Sequence, residues 1–162
     1  MSTRAFHVDE TAPPVGAGNP IFVFGSNIPG WHGKGAAKLA CEKYGAERGV
    51  GEGLRGQSYG IPTKRKNRKI HFMDPSLVSL PLEAISVYVG RFLAVAHSRP
   101  DLQFAVTRIG CVLAGYSDAE IAPLFRDAPL NCSFADAWAP YIDTGCTEEQ
   151  CASACEIDRS MS

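Results

Sequence analysis

The sequence predicts an α/β domain, a three-layer α/β/α arrangement around a mixed sheet. Three observations lead there. Short apolar runs alternate with stretches whose apolar residues recur at helical spacing. Two glycine-bearing segments stand between such a run and a helical stretch. The chain has 162 residues and is 45% hydrophobic, enough for one domain with a real core. Strands alternating with helices place the helices on the faces of the sheet. Ligands of such sheets sit beyond the carboxyl ends of the strands.

The elements follow in order. Residues 1–18 read as a flexible polar arm, and the folded domain spans residues 19–142. Residues 21–24, Ile-Phe-Val-Phe, read as a buried strand. Residues 25–35 form a glycine-bearing loop, and residues 36–44 a helix. Residues 48–56 hold four glycines and read as a loop or tight turn. Residues 57–63 read as a short strand, with Pro62 placing it at a sheet edge or a strand end. Leu82, Ile85, Val89, Phe92, Leu93 and Ala96 recur at helical spacing, with Pro81 at the first turn and Pro100 beyond the end. Residues 102–106 form the next strand. Ser117 with Glu120 three residues on makes a capping box for a helix through Ile121, Leu124 and Phe125, with Pro123 in its early turns. Residues 131–134 complete the strands.

Composition excludes several classes. The formal net charge is −1, so no general basic field draws nucleic acid. The run Lys64-Arg65-Lys66-Asn67-Arg68-Lys69 is either a solvated loop or help for an anionic ligand. No stretch has the apolar length of a membrane span, so no membrane partner is expected. Residues 1–18 lack the apolar core of a signal peptide, which leads us to expect a cytoplasmic protein. Of six cysteines, Cys41, Cys111 and Cys132 read as reduced, packed thiols. Cys146, Cys151 and Cys155 sit in an acidic tail, residues 143–162, with no common zinc spacing. No metal and no cofactor is expected.

Chemistry concentrates at the two strand–loop–helix junctions. One is Gly25-Ser26-Asn27-Ile28-Pro29-Gly30-Trp31-His32-Gly33-Lys34-Gly35. The other is Thr107-Arg108-Ile109-Gly110-Cys111-Val112-Leu113-Ala114-Gly115-Tyr116. Such junctions gather free backbone N–H groups at the positive end of a helix, where phosphate binds. Two of them in one small domain suggest a diphosphate ligand such as a nucleotide.

These residues resemble the macrodomains, α/β modules that bind ADP-ribose. The nearest branch holds the terminal ADP-ribose protein glycohydrolase and the macrodomain antitoxins against DNA-modifying ADP-ribosyltransferases. Gly30-Trp31-His32-Gly33-Lys34-Gly35-Ala36-Ala37 is similar to that branch's first ligand loop. Tyr59-Gly60-Ile61-Pro62-Thr63-Lys64 resembles its strand ending in Thr-Lys. Arg108-Ile109-Gly110-Cys111-Val112-Leu113 resembles its diphosphate loop. The segments keep the family's order over residues 20–135. The chain is also similar to short bacterial and phage proteins that share its Phe-Gly-Ser-Asn opening and Gly-Tyr-Ser-Asp continuation. The resemblance implies a macrodomain-like fold and an ADP-ribose-like nucleotide as partner, with nucleic acid only as an ADP-ribosylated substrate. Its ligand residues would be Ser26, Asn27, Trp31, His32, Gly33, Lys34, Gly35, Thr63 and Lys64, then Arg108, Ile109, Gly110, Cys111, Leu113, Ala114, Gly115 and Tyr116.

Two departures bear on chemistry. The family has Gly where this chain has Val112, a side chain beside the phosphate position. The hydrolytic branch has a catalytic Asp where this chain has Ala114. Lys64, the branch's nucleophile, remains, but it lacks that acid/base partner. Asp118, four residues on, is a candidate substitute; Lys64 itself can equally pair with phosphate or stand in solvent. Other residues stay open between two roles. Asn27 contacts a ribose or makes a turn. His32 is a general base, or an exposed or ligand-stacking ring. Trp31 stacks on an adenine or packs the loop. Cys111 is an activated thiol at a helix start or a structural residue. Tyr116 brackets a ribose or packs in the core. Two functions therefore compete: a module that binds ADP-ribose or a related NAD-derived signalling nucleotide, sequestering it in bacterial or phage immunity, and an ADP-ribosyl hydrolase acting on a modified macromolecule. A protein-interaction domain that has lost its pocket is the third. Val112 and Ala114 favour the binding module.

Overall fold

Residues 21–24 are apolar in unbroken succession because both faces of their strand are covered. The computed structural model describes residues 4–8, 12–65, 78–111 and 114–142. Its strands are β1 (Phe6–His7), β2 (Ile21–Asn27), β3 (Gly53–Arg55), β4 (Ser58–Lys64), β5 (Phe104–Val106) and β6 (Cys132–Ala135). They form a six-stranded sheet in the order β1-β6-β5-β2-β4-β3. Every neighbouring pair is parallel except β3 with β4, so the sheet is mixed. The helices are α1 (Gly35–Lys43), α2 (Leu82–Ser98), α3 (Asp118–Ile121) and α4 (Ala139–Ile142).

Side chains alternate across β2 and divide the core in two. Ile21 and Val23 join a large cluster with Ile85, Val89 and Phe92 of α2, and with Phe104, Val106, Ile121 and Phe125. Phe22 and Phe24 point the other way, to Ala40 of α1 and to Tyr44 just after it. Helices thus cover both faces. Phe92 is the hub of the larger cluster, its ring 5.0 Å from Tyr59, 5.4 Å from Phe104 and 6.1 Å from Phe125. Truncating such a buried ring costs about 3–5 kcal/mol.

Most expected elements are present, and the differences have local causes. Gly25, Ser26 and Asn27 belong to β2 rather than to the loop, because pairing with β4 continues to Asn27↔Lys64 after a register shift. Residues 48–56 are not all loop: Gly53–Arg55 pairs antiparallel with β4 as its edge strand. That places β4 inside the sheet, not at its edge. Pro62 is tolerated because β3 opposes only Ser58 to Gly60, so Pro62 lies past the end of that ladder. The strand expected over residues 102–106 is shorter, Phe104–Val106. The helix expected through Phe125 tightens after Ile121 into a 3₁₀ turn, Ala122–Phe125. Pro123 has no N–H to donate to the preceding turn, which favours that change.

The segment expected as a flexible arm also contributes structure. Phe6 and His7 pair with Phe134 and Ala135 of β6. Arg4 donates to the Ala128 and Pro129 carbonyls at 2.6 and 3.2 Å. Gln57 holds residues 14–16 by accepting from the Gly16 N–H at 2.9 Å and donating to the Pro14 carbonyl at 2.7 Å. The acidic tail, residues 143–162, lies outside the described residues, as do Lys66-Asn67-Arg68-Lys69 of the basic run. No helix among the described residues is long and apolar enough to cross a membrane.

Candidate functional site

β2 and β5 are neighbours, parallel and in register from Ile21↔Phe104 to Val23↔Val106. The connection leaving β2 enters α1 on one face of the sheet, and that leaving β5 enters α3 on the other. This is a topological switch point, the place at the carboxyl edge where sheets of this class take their ligands. Both glycine-bearing junctions emerge there. Gly25 of β2 lies so near that a Cβ on it would be 3.6 Å from the Gly110 nitrogen and 3.6 Å from the Thr63 Oγ1. Three candidate segments, from β2, β4 and the β5–α3 loop, therefore meet at one place. A cavity of about 390 Å³ lies at the opposite edge, between residues 15–19, Gln57 and Leu102, at the amino ends of the same strands. We place the candidate site at the switch point, because that is where the connections diverge and the candidate residues converge.

The β2–α1 loop is tied to residues 47–51, most of which lie in the stretch expected as a loop or tight turn. A Cβ on Gly30 would lie 2.3 Å from the Val50 nitrogen, and one on Gly51 2.2 Å from the Asn27 oxygen. Only glycine allows these backbones to approach so closely. Gly49 N–H donates to the Gly30 carbonyl at 3.0 Å, and Ser26 Oγ donates to the Gly51 carbonyl. His32 is buried, at 2% exposure. Its Nε2 lies 3.0 Å from the Glu47 carbonyl and 3.1 Å from that of Val50. Both are acceptors, so Nε2 carries the proton. The ring stands edge-on to Phe24 at 5.4 Å. His32 thus pins the loop instead of standing exposed in it. Asn27 accepts from the Trp31 N–H at 2.7 Å and donates to the Trp31 carbonyl at 2.9 Å, which is the turn-making role. Trp31 remains 52% exposed. Lys34 is the N-cap of α1, whose first turn has no acidic residue and no side-chain cap.

The β5–α3 loop is held by an ionic cluster. Arg108 donates to both carboxylate oxygens of Asp118, at 2.9 and 2.7 Å. Trp138, fully buried, donates its indole N–H to the same carboxylate at 2.7 Å. The Arg108 hydrogen bond, chiefly, holds the Asp118 carboxyl below the usual carboxylate range, against the opposing effect of its burial. Asp118 is therefore engaged as an anchor and is not poised as a substitute acid. Burial, reinforced by a hydrogen bond to Asp118, pushes the Cys111 thiol up to about 12. That is the reverse of an activated nucleophile. Tyr116 closes the loop, donating its N–H to the Gly110 carbonyl at 2.9 Å and its hydroxyl to the Leu80 carbonyl. It packs against the larger core cluster. Ile109 is core, Gly110 and Gly115 have φ of +74° and +83°, and Ala114 is buried. Val112 and Leu113 lie outside the described residues.

Between these loops runs a strap that sequence reasoning missed. Ser79 bridges Lys64 at the end of β4. Leu80 N–H donates to the Thr63 carbonyl at 2.8 Å, and Ser79 Oγ to the Ala114 carbonyl at 2.7 Å. Thr63 is buried, with Oγ1 3.3 Å from the Ser26 carbonyl. Lys64 is half-buried, and its carbonyl accepts from the Ile28 N–H at 2.9 Å. Nothing in the local sequence marks Ser79, because its partners are remote in the chain. No group of His, Cys, Asp and Glu among the described residues forms a metal site. No protein-family model, no curated protein and no solved structure matches the chain.

Proposed function

We propose that this protein is a macrodomain-like three-layer α/β/α module that binds ADP-ribose or a related NAD-derived nucleotide at the β2–β5 switch point. The observation that carries the reading is the meeting of Gly25, Thr63 and Gly110 at the carboxyl edge of the sheet. Gly25 and Gly110 carry no side chain that would stand between a diphosphate and the backbone N–H groups of the two junctions. A cytoplasmic module of this kind would act by sequestering a signalling nucleotide, as the bacterial and phage resemblance implies.

Binding is favoured over hydrolysis by two features. Ala114 stands where the hydrolytic branch has its acid. Asp118, the candidate replacement, is committed to Arg108 and Trp138. In this reading the role of Lys64, at the end of β4, is to meet ligand phosphate. Titration calorimetry with ADP-ribose, NAD and cyclic ADP-ribose tests the reading. Heat of binding with at least one of them is expected, together with little or no release of ADP-ribose from modified carboxylates. Lys64→Ala is expected to weaken binding by about 1.5–3 kcal/mol, the size of one charge-assisted contact. Absence of binding to all three ligands would sink the nucleotide reading. Robust hydrolysis abolished by Lys64→Ala would replace it with the hydrolase.

A further inference from the structure

We propose that Trp31 and Arg48 form a stacking platform for an unpaired nucleobase that carries a phosphate, on the β2–α1 loop at the carboxyl edge of the sheet. The proposal takes its setting from the nucleotide reading above and its chemistry from Trp31 itself.

Trp31 leaves 52% of its surface in water, although an indole is among the largest apolar surfaces a protein can bury. This exposure is not looseness. The Trp31 backbone is held from both sides by the Asn27 amide, at 2.7 and 2.9 Å. One edge of the indole lies against Gly33, where a Cβ would sit 3.0 Å from Nε1. The Arg48 guanidinium lies over the ring, 5.6 Å from its centroid. Arg48 is itself placed between Glu47 and Val50, whose carbonyls both meet His32 Nε2. The result is a half-wet aromatic plate on a backbone held in place, with a cation over it.

Preorganisation of this kind lowers the entropic cost when a flat ligand lands. Indole rings and guanidinium planes are the side-chain surfaces on which bases stack. The guanidinium also offers N–H donors to a phosphate on the same nucleotide. An aliphatic partner would use the indole alone, and a carboxylate ligand would use Arg48 alone. A base with its phosphate uses both. Such a base comes from a free nucleotide or from a single strand of nucleic acid, and the two sources share this chemistry.

The chain holds two tryptophans, and Trp138 is fully buried, so solvent-exposed emission reports Trp31. Fluorescence of the full chain is titrated with adenosine monophosphate, with ribose 5-phosphate and with a short oligodeoxythymidylate. The base-bearing ligands are expected to quench, and ribose 5-phosphate is not. Trp31→Ala should weaken adenosine monophosphate binding roughly tenfold, whereas Trp31→Phe retains most of it. Arg48→Ala should weaken it a few-fold. Quenching by the mononucleotide at lower concentration than by the strand assigns a free nucleotide, and the reverse order assigns a strand. Failure of both base-bearing ligands to quench, equal quenching by ribose 5-phosphate, or indifference to Arg48→Ala overturns the platform. Calorimetric binding of ADP-ribose without such quenching keeps the nucleotide reading and removes the platform. Quenching by adenosine monophosphate without ADP-ribose binding does the opposite.

Discussion

The two loops at the carboxyl edge of the sheet are held by opposite means. Between β2 and α1 the hold is steric: Gly30 and Gly51 bring two backbones closer than any side chain would allow. The polar side chains there, Ser26, Asn27 and His32, bond to backbone groups. Between β5 and α3 the hold is ionic, with Arg108, Trp138 and Cys111 gathered on the Asp118 carboxylate. Steric exclusion is indifferent to pH and salt, whereas an ion pair answers to both. Even glycine means different things in the two loops. In the first it supplies missing volume, and at Gly115 in the second it supplies a φ of +83°, with no described residue against it.

The steric loop offers the largest effect. Gly51→Ala puts a Cβ 2.2 Å from the Asn27 oxygen and 2.7 Å from that of Ile28, both main-chain atoms. Neither can turn aside as a side chain would. A loss of at least about 3 kcal/mol is expected in denaturant unfolding. A loss below about 1 kcal/mol would mean that the two backbones separate cheaply, and the contrast between the loops would collapse.

Asp118→Asn comes next, at about 1.5–3 kcal/mol near neutral pH, because it leaves Arg108 without its carboxylate. Asp118 has its folded pKa depressed, so its stabilisation is complete above the ordinary carboxylate value, about 4. It is lost as pH falls through the lower folded value. Thermal unfolding of wild type and variant should therefore converge as pH is lowered below the ordinary carboxylate value. A gap that stays constant across that range would show that charge is not what holds this loop.

Gly115→Ala is the mildest, about 1 kcal/mol, since only the backbone conformation is wrong for alanine and, among the described residues, nothing lies within 4 Å of the new Cβ. Equal costs for Gly115→Ala and Gly51→Ala, measured in the same denaturant series, would erase the distinction between volume and conformation.

What the sequence disclosed divides along similar lines. β2, β4 and α2 were legible because apolar runs and helical spacing are local patterns. The Ser117–Glu120 cap was legible too: the Glu120 carboxylate accepts from the Ser117 N–H at 3.1 Å. β3 and β1 were not. Gly53-Leu54-Arg55 sits in a glycine-rich run that reads as loop, and it becomes a strand only because β4 offers an open edge. Phe6 and His7 pair with residues far along the chain. At the candidate site the segments were legible and the roles were not. His32 reads as a general base or an exposed ring until the Glu47 and Val50 carbonyls are seen to take its Nε2–H. Asp118 reads as a spare carboxylate until Trp138 is seen to reach it. Cys111 reads as an activated thiol at a helix start until its partial burial beside Asp118 is known.

The sheet is completed by its earliest and latest strands. Among the described residues β1 pairs with β6 alone, and β6 lies between β1 and β5. During synthesis the first strand thus leaves the ribosome long before its partner exists. The middle of the sheet, β5-β2-β4-β3, can assemble while Phe6 and His7 wait unpaired. Closing so long a span costs entropy that only the finished edge returns. A chain truncated before residue 132 would leave β5 as an open edge, exposed to pairing with other strands.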